Sequence, residues 1–168
     1  MTDPCEAALY AELDRLGVAR RTREHAATPT VADARAVKAA LPGGHSKTLL
    51  VTDRRDLFLL VAHAETRTDL KGVARALGAG RLSFAPPRAL MDTLGLAPGN
   101  VTPFALMAPD ADRIAKVVLD EALLAHDPVW FHPLRNTAFT AVSPDGLVRF
   151  CAACGHEPVR MDLASPRG

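Results

Sequence analysis

Two apolar runs, Lys47-Thr48-Leu49-Leu50-Val51-Thr52 and Leu57-Phe58-Leu59-Leu60-Val61-Ala62, flank the four polar residues Asp53-Arg54-Arg55-Asp56. Each run is too short for a buried helix and is bounded by turn chemistry. The pair therefore reads as an antiparallel hairpin whose strands are largely buried on both faces. Leu57 to Ala62 is the longest apolar run in the chain, far short of the roughly twenty residues needed to cross a bilayer. No membrane association is expected.

Helices and further strands interleave around this hairpin. Asp3, Pro4 and Glu6 supply an N-cap, a first-turn proline and a capping-box partner for a helix that buries Leu9, Leu13 and Leu16 and stops at Gly17. Val18 to Glu24 reads as a strand. Thr30 caps a helix of about ten residues, which ends at Leu41-Pro42-Gly43-Gly44. Thr68-Asp69 opens a helix to Leu77, Leu82-Ser83-Phe84 is a short strand, and Pro86-Pro87 begins a helix to Leu94. Strands follow at Ile114 to Leu119, Val129 to His132 and Thr137 to Val142, before a last helix capped by Ser143-Pro144 and ended by Gly155. Regular strand-helix alternation is missing. The expected fold is α/β of the α+β type, a mixed and largely antiparallel sheet flanked by helices. One domain over residues 1–168 suits this length.

A formal charge of +1 excludes a sequence-wide positive field of the kind that coats nucleic acid. Local basic groups remain at Arg20-Arg21-Thr22-Arg23, at Arg54-Arg55, and in the set Arg67, Lys71, Arg75, Arg81 and Arg88; each also fits an ordinary solvated face. Three cysteines and an N-terminus without a basic-then-apolar leader point to the reducing cytoplasm.

Four segments carry candidate chemistry. Gly43-Gly44-His45-Ser46-Lys47-Thr48 lacks the glycine spacing of a Walker loop and leads into a strand rather than a helix. What remains is Lys47 at the mouth of an apolar strand, suited to a phosphate or carboxylate, or simply an exposed strand-opening lysine. Cys151-Ala152-Ala153-Cys154-Gly155-His156 suggests zinc, redox or haem chemistry. Leu147, Phe150, Cys151 and Cys154, however, share one helical face, which makes the cysteines core residues. Val129-Trp130-Phe131-His132-Pro133-Leu134-Arg135-Asn136-Thr137 places His132 and Asn136 around a proline turn, where they either shape a site or merely close the turn. Finally, Leu94-Gly95-Leu96-Ala97-Pro98-Gly99-Asn100-Val101-Thr102-Pro103-Phe104-Ala105-Leu106 is a loop stiffened by prolines and shaped by glycines, built to present backbone.

In this order, the segments resemble the prolyl-tRNA editing family: freestanding aminoacyl-tRNA deacylases related to the YbaK proteins and to the editing domain inserted in bacterial prolyl-tRNA synthetases. The carriers are His25 with Thr30, Gly44 to Leu49, Asp69-Leu70-Lys71, Gly80 to Ala85, Leu94 to Phe104, and Phe131 to Thr137. The resemblance implies hydrolysis of the ester joining an amino acid to the tRNA 3′ end, with alanine on tRNA for proline as the leading substrate. It also implies no cofactor and no metal. Lys47 matches the central lysine and takes the terminal adenosine phosphate; Gly99 to Pro103 matches the Gly-x-x-x-Pro loop beside the scissile ester. His132 matches a family histidine. Lys47, Gly99 and His132 are thus the expected catalytic set, and His45, Thr48, Asn100, Val101, Thr102, Pro103 and Asn136 the expected substrate-binding set. Thr48 departs from the alanine-specific branch, which carries Asn there, and matches branches with other specificities. The substrate's own 2′-OH is a further assistant.

The implied partners are the acceptor end of an aminoacylated tRNA and, as a further candidate, prolyl-tRNA synthetase, with the chain either monomer or homodimer. Two other readings stand beside this one: a non-catalytic module for the tRNA end, and a metal or redox protein built on Cys151 and Cys154.

Overall fold

The expected hairpin forms the middle of the sheet. A computed structural model describes residues 3–26 and 30–167. In it β2 (Gly44–Thr52) and β3 (Leu57–His63) pair antiparallel, Lys47 opposite Ala62 and Thr52 opposite Leu57. The turn is held by Asp53, whose Oδ1 accepts the backbone N–H groups of Arg55 at 3.0 Å and Asp56 at 2.8 Å. Such aspartate turns substitute a side chain for missing ladder bonds.

Six further strands complete one sheet: β1 (Arg21–Glu24), β4 (Ser83–Phe84), β5 (Ile114–Asp120), β6 (Val129–Phe131), β7 (Ala138–Val142) and β8 (Val159–Met161). The order is β1-β7-β6-β2-β3-β5-β8, with β4 pairing on β2. Pairs β2–β6, β3–β5 and β5–β8 are parallel, and the remaining pairs are antiparallel. The mixed sheet expected from the sequence is present.

Helices α1 (Pro4–Arg15), α2 (Val31–Ala39), α3 (Leu70–Leu77), α4 (Pro87–Leu94), α5 (Glu121–Leu124) and α6 (Pro144–Ala153) flank it. Asp3, Thr30, Asp69 and Ser143 each cap a helix through a side-chain oxygen, satisfying amide groups that the helix itself leaves bare. Along β3, Leu59 and Val61 pack into one core with Leu9, Leu13, Phe104, Leu147 and Phe150, whereas Phe58, Leu60 and Ala62 pack into another with Val73 and Leu163. Both faces are covered, which explains an apolar run without alternation. The α6 face that carries Leu147, Phe150 and Cys151 is buried, with Cys154 half-buried at its end. Burial pushes the Cys151 thiol up to about 12 and the Cys154 thiol up to about 11.

Several boundaries differ from the sequence expectation. Strand β2 begins at Gly44, because Gly44 and His45 pair in parallel with Val129 and Trp130. Only glycine fits the first of these positions, since an added Cβ would lie 2.8 Å from the Cβ of His126. Strand β1 starts at Arg21 rather than Val18. Val18 N–H donates to Leu13 O at 2.9 Å, closing α1 behind Gly17 at φ +69°, and the Val18 side chain enters the core. Short α5, β8 and two 3-10 turns, Pro103–Met107 and Pro109–Arg113, carry no periodic signal of their own. Among the described residues, no helix is long and apolar enough to cross a membrane.

Candidate active site

Strand β2 passes beside β6, and the Gly99–Thr102 loop covers the same region. Between them lies a cavity of about 330 Å³, lined by Lys38, Ser46, Lys47, Thr48, Leu49, Gly99, Val101, Thr102, Phe131, His132 and Phe139.

The loop is built locally. Asn100 N–H donates to Ala97 O at 3.2 Å, and Gly99 sits at φ +89°. With Pro98 before it, this is a type II turn, in which the third residue must take positive φ. Thr102 then caps the first 3-10 turn, its Oγ1 accepting Phe104 N–H at 3.3 Å, and Pro103 occupies the first helical position. The Asn100 N–H is therefore spent on the turn. The N–H groups of Gly99, Val101 and Thr102 have no acceptor among the described residues, which leaves them free to meet an oxyanion.

Lys47 is half-buried and donates from Nζ to the backbone carbonyl of Thr66. Thr66 is fixed in turn: its hydroxyl donates to Asp120 Oδ2 at 2.6 Å, and that oxygen also accepts His63 N–H at 2.9 Å. Asp120 is fully buried, and its Oδ1 accepts Ala122 N–H at 3.2 Å at the start of α5.

His132 follows β6 and stacks on Phe139, ring centroids 4.5 Å apart. Its Nδ1 lies 3.1 Å from Ala138 O. A carbonyl only accepts, so Nδ1 carries the proton and Nε2 presents a lone pair. Burial chiefly, with the charge of His25 and Lys38 adding to it, holds the imidazole below its ordinary pKa; the Ala138 bond opposes this. At neutral pH the ring is an acceptor rather than a cation.

The loop after His132 is clamped to α1. Arg135 Nε donates to Glu6 Oε2 at 2.7 Å, and its terminal nitrogens reach Glu24 Oε2 at 2.8 Å and Thr137 Oγ1 at 2.9 Å. Glu6 Oε1 accepts the Tyr10 hydroxyl at 2.6 Å. The carboxylates raise the Arg135 guanidinium above its already high range.

A small cavity thus joins a fixed lysine, bare backbone donors and a neutral histidine. The model of the aminoacyl-tRNA editing domain matches residues 25–150, a span that contains all of these groups. The chain belongs to the aminoacyl-tRNA editing domain family. It is 33% identical over 163 residues to prolyl-tRNA synthetase associated domain-containing protein 1 of Bos taurus, covering 94% of each chain. It is 28% identical over 151 residues to the prolyl-tRNA editing protein ProX of Acetoanaerobium sticklandii, covering 89% of this chain and 92% of that one. Its fold superposes on the crystal structure of a candidate trans-editing enzyme for prolyl-tRNA synthetase with a TM-score of 0.74, at 23% identity and over 100% of both chains.

Within this editing domain, six of the residues expected from the sequence, Lys47, Thr48, Gly99, Val101, Thr102 and His132, line one cavity. Four others stand apart from its wall. His45 donates from Nε2 to Leu41 O at 2.8 Å and faces an adjoining groove. Asn100 is half-buried in the loop turn, Pro103 is buried at the start of the 3-10 turn, and Asn136 is exposed. The sequence reading did not single out Lys38, Phe139, Thr66 or Asp120. Phe139 lies inside an apolar strand pattern and Asp120 follows the end of one, and only sheet pairing brings them to the site.

Proposed function

We propose that the editing domain is a trans-acting hydrolase that deacylates misacylated tRNA, with alanyl-tRNA for proline as the leading substrate. The observation that carries this reading is that one cavity of about 330 Å³ is lined by Lys47, by neutral His132 and by Gly99, Val101 and Thr102, whose N–H groups have no acceptor among the described residues. The name of the ProX relative, a prolyl-tRNA editing protein, supports it.

On this reading, the ester carbonyl lies against the loop and water adds to its carbon. The N–H groups of Gly99, Val101 and Thr102 stabilise the developing oxyanion, a type of donor worth about 10²–10³ in rate each in other enzymes. One water proton ends on the departing ribose oxygen, so the products are a free amino acid and tRNA. His132 Nε2 accepts from the attacking water or from the substrate, the tRNA 2′-OH being a nearby candidate donor. Lys47, held on the Thr66 carbonyl, directs positive charge toward the terminal adenosine phosphate. No step calls for a metal or cofactor.

Size explains the biological need. A pocket that accepts proline rejects a smaller side chain only weakly, a methylene being worth about 1–3 kcal/mol, so a second and smaller pocket must remove the error. Thr48, Val101, Phe131 and Phe139 form the small pocket here. Thr48, in place of the amide of the alanine-specific branch, favours a second reading in which serine, threonine or cysteine is removed instead. The chain acts in the cytoplasm, free or beside prolyl-tRNA synthetase.

The deciding experiment offers the purified protein a panel of tRNAs charged with alanine, serine, threonine, cysteine and proline. Release of alanine from tRNA for proline, with prolyl-tRNA spared, is expected. Failure to release any of the small amino acids removes the enzyme reading and leaves a tRNA-end binding module.

A further inference from the structure

We propose that the groove beside α2 is a subsite for the nucleotide preceding the terminal adenosine of a tRNA 3′ end, with Lys38 joining Lys47 on the phosphodiester between the two. This rests on the reading of the neighbouring cavity as the site of the terminal aminoacyl-adenosine. The groove has a volume of about 540 Å³ and is lined by Ala34, Arg35, Lys38, His45, His63 and Glu65 among others. That size is within the range of ordinary small-molecule sites.

Lys38 lines both hollows. A single-stranded nucleic acid alternates bulky nucleosides with anionic phosphates, so a cation on the wall between two adjacent hollows matches its spacing. Lys38 stands in the last turn of α2, half-buried, and Arg35 lies one turn before it on the same helix. Among the described residues neither is ion-paired to a carboxylate. Glu65 lines the groove as well, but it is exposed and forms no ion pair among the described residues. Lys47 gives one of its three N–H donors to the Thr66 carbonyl and keeps two for the same phosphate, which Lys38 meets from the groove side. The charge on Lys38 is felt on both sides: after burial, it helps to lower the pKa of His45 in the groove and of His132 in the cavity.

The test measures binding of the trinucleotide CCA and of adenosine to the unmodified protein, to Lys38→Ala and to Arg35→Ala. The parent is expected to bind CCA at least tenfold more tightly than adenosine. Lys38→Ala should lose a large part of that difference, Lys47 holding the rest, while keeping the parent affinity for adenosine, which also certifies its fold. Its log K against log salt slope for CCA should fall by about 0.7, the loss of one single-strand phosphate contact. Arg35→Ala should weaken CCA by a smaller factor, and Lys38→Arg should restore binding. Equal binding of CCA and adenosine by the parent overturns the proposal, as does parent-like CCA affinity and salt slope in Lys38→Ala. Because no step requires turnover, a protein that binds CCA through Lys38 but releases no amino acid in the charged-tRNA panel disproves the enzyme reading alone.

Discussion

The ammonium of Lys47 donates to the backbone carbonyl of Thr66, which is itself fixed by the bond from its hydroxyl to Asp120. Three chain segments far apart in sequence thereby hold one cation at the cavity wall. A lysine on four flexible carbons loses much of its rotamer entropy before substrate arrives, so less remains to be lost on binding.

Replacing Lys47 tests that arrangement. Lys47→Ala removes the cation but leaves β2 intact, since its side chain is only half-buried and the Thr66 carbonyl can turn to water. Deacylation should fall by about 10²-fold or more, the scale of losing a preorganised electrostatic group, while the thermal midpoint changes little. Single-turnover rates beside a thermal melt check both halves. Near-parent turnover would remove Lys47 from the site.

His132 sets a pH dependence whose sign follows from its lowered pKa. The native state binds fewer protons than the unfolded chain through the ordinary histidine range near 6.5, so stability is complete above that range and is lost as pH falls through it toward the folded value. His45, also lowered chiefly by burial, acts in the same direction. The melting temperature should therefore drop between pH 7 and pH 5, and less steeply in His132→Asn. Neutral His132 persists below the usual imidazole pKa, so kcat/KM should stay level at pH 6.5 and fall only at lower pH. His132→Asn should lower the plateau and lose that acid limb.

The hairpin, most helix caps and the Gly-Pro loop were legible because each is a local pattern: an apolar run, a capping side chain, a proline-glycine pair. Lys47, Gly99 and His132 could be placed in one site through the order of motifs, not through any distance visible in the chain. Asp120 illustrates what was hidden. It ends an apolar strand and looks like an ordinary helix cap, and only the parallel pairing of β3 with β5 carries it to Thr66. Val129-Trp130-Phe131 likewise gave no sign that it would meet Gly44 and His45 edge to edge.

Arg135 separates a buried from an exposed ion pair within one side chain. The Glu6 side chain is 5% exposed and that of Glu24 is 71% exposed. Arg135→Met leaves the Glu6 carboxylate buried with only the Tyr10 hydroxyl as its polar partner, a loss of about 3 kcal/mol. The midpoint should drop by roughly 6–12 °C for a chain of this size. Glu24→Gln should cost less than about 1 kcal/mol, because solvent already screens that pair. Calorimetry of the two variants compares them directly; equal losses would place the weight of the clamp on Glu24.

Gly99 and Gly44 are both glycines near the site, yet they answer to different constraints. At Gly44 an added Cβ meets His126 at 2.8 Å, so Gly44→Ala should disturb the β2–β6 junction and the fold. At Gly99 an added Cβ has no atom within 4 Å, but φ is +89°. An alanine there fits the space and opposes the backbone, at a cost of about 1–2 kcal/mol for an L-residue in this region. The rest of the protein does not lean on that loop position, so Gly99→Ala should fold and melt within a few degrees of the parent. Its turn, however, relieves the strain by rotating the peptide groups on either side of residue 99, and the first of these carries the Gly99 N–H, one of the proposed oxyanion donors. A fall in kcat of tenfold or more, with KM little changed, is the expected signature of a donor displaced from a transition state. If kcat survives and the melting point falls instead, the loop is scaffold and the oxyanion donors lie elsewhere.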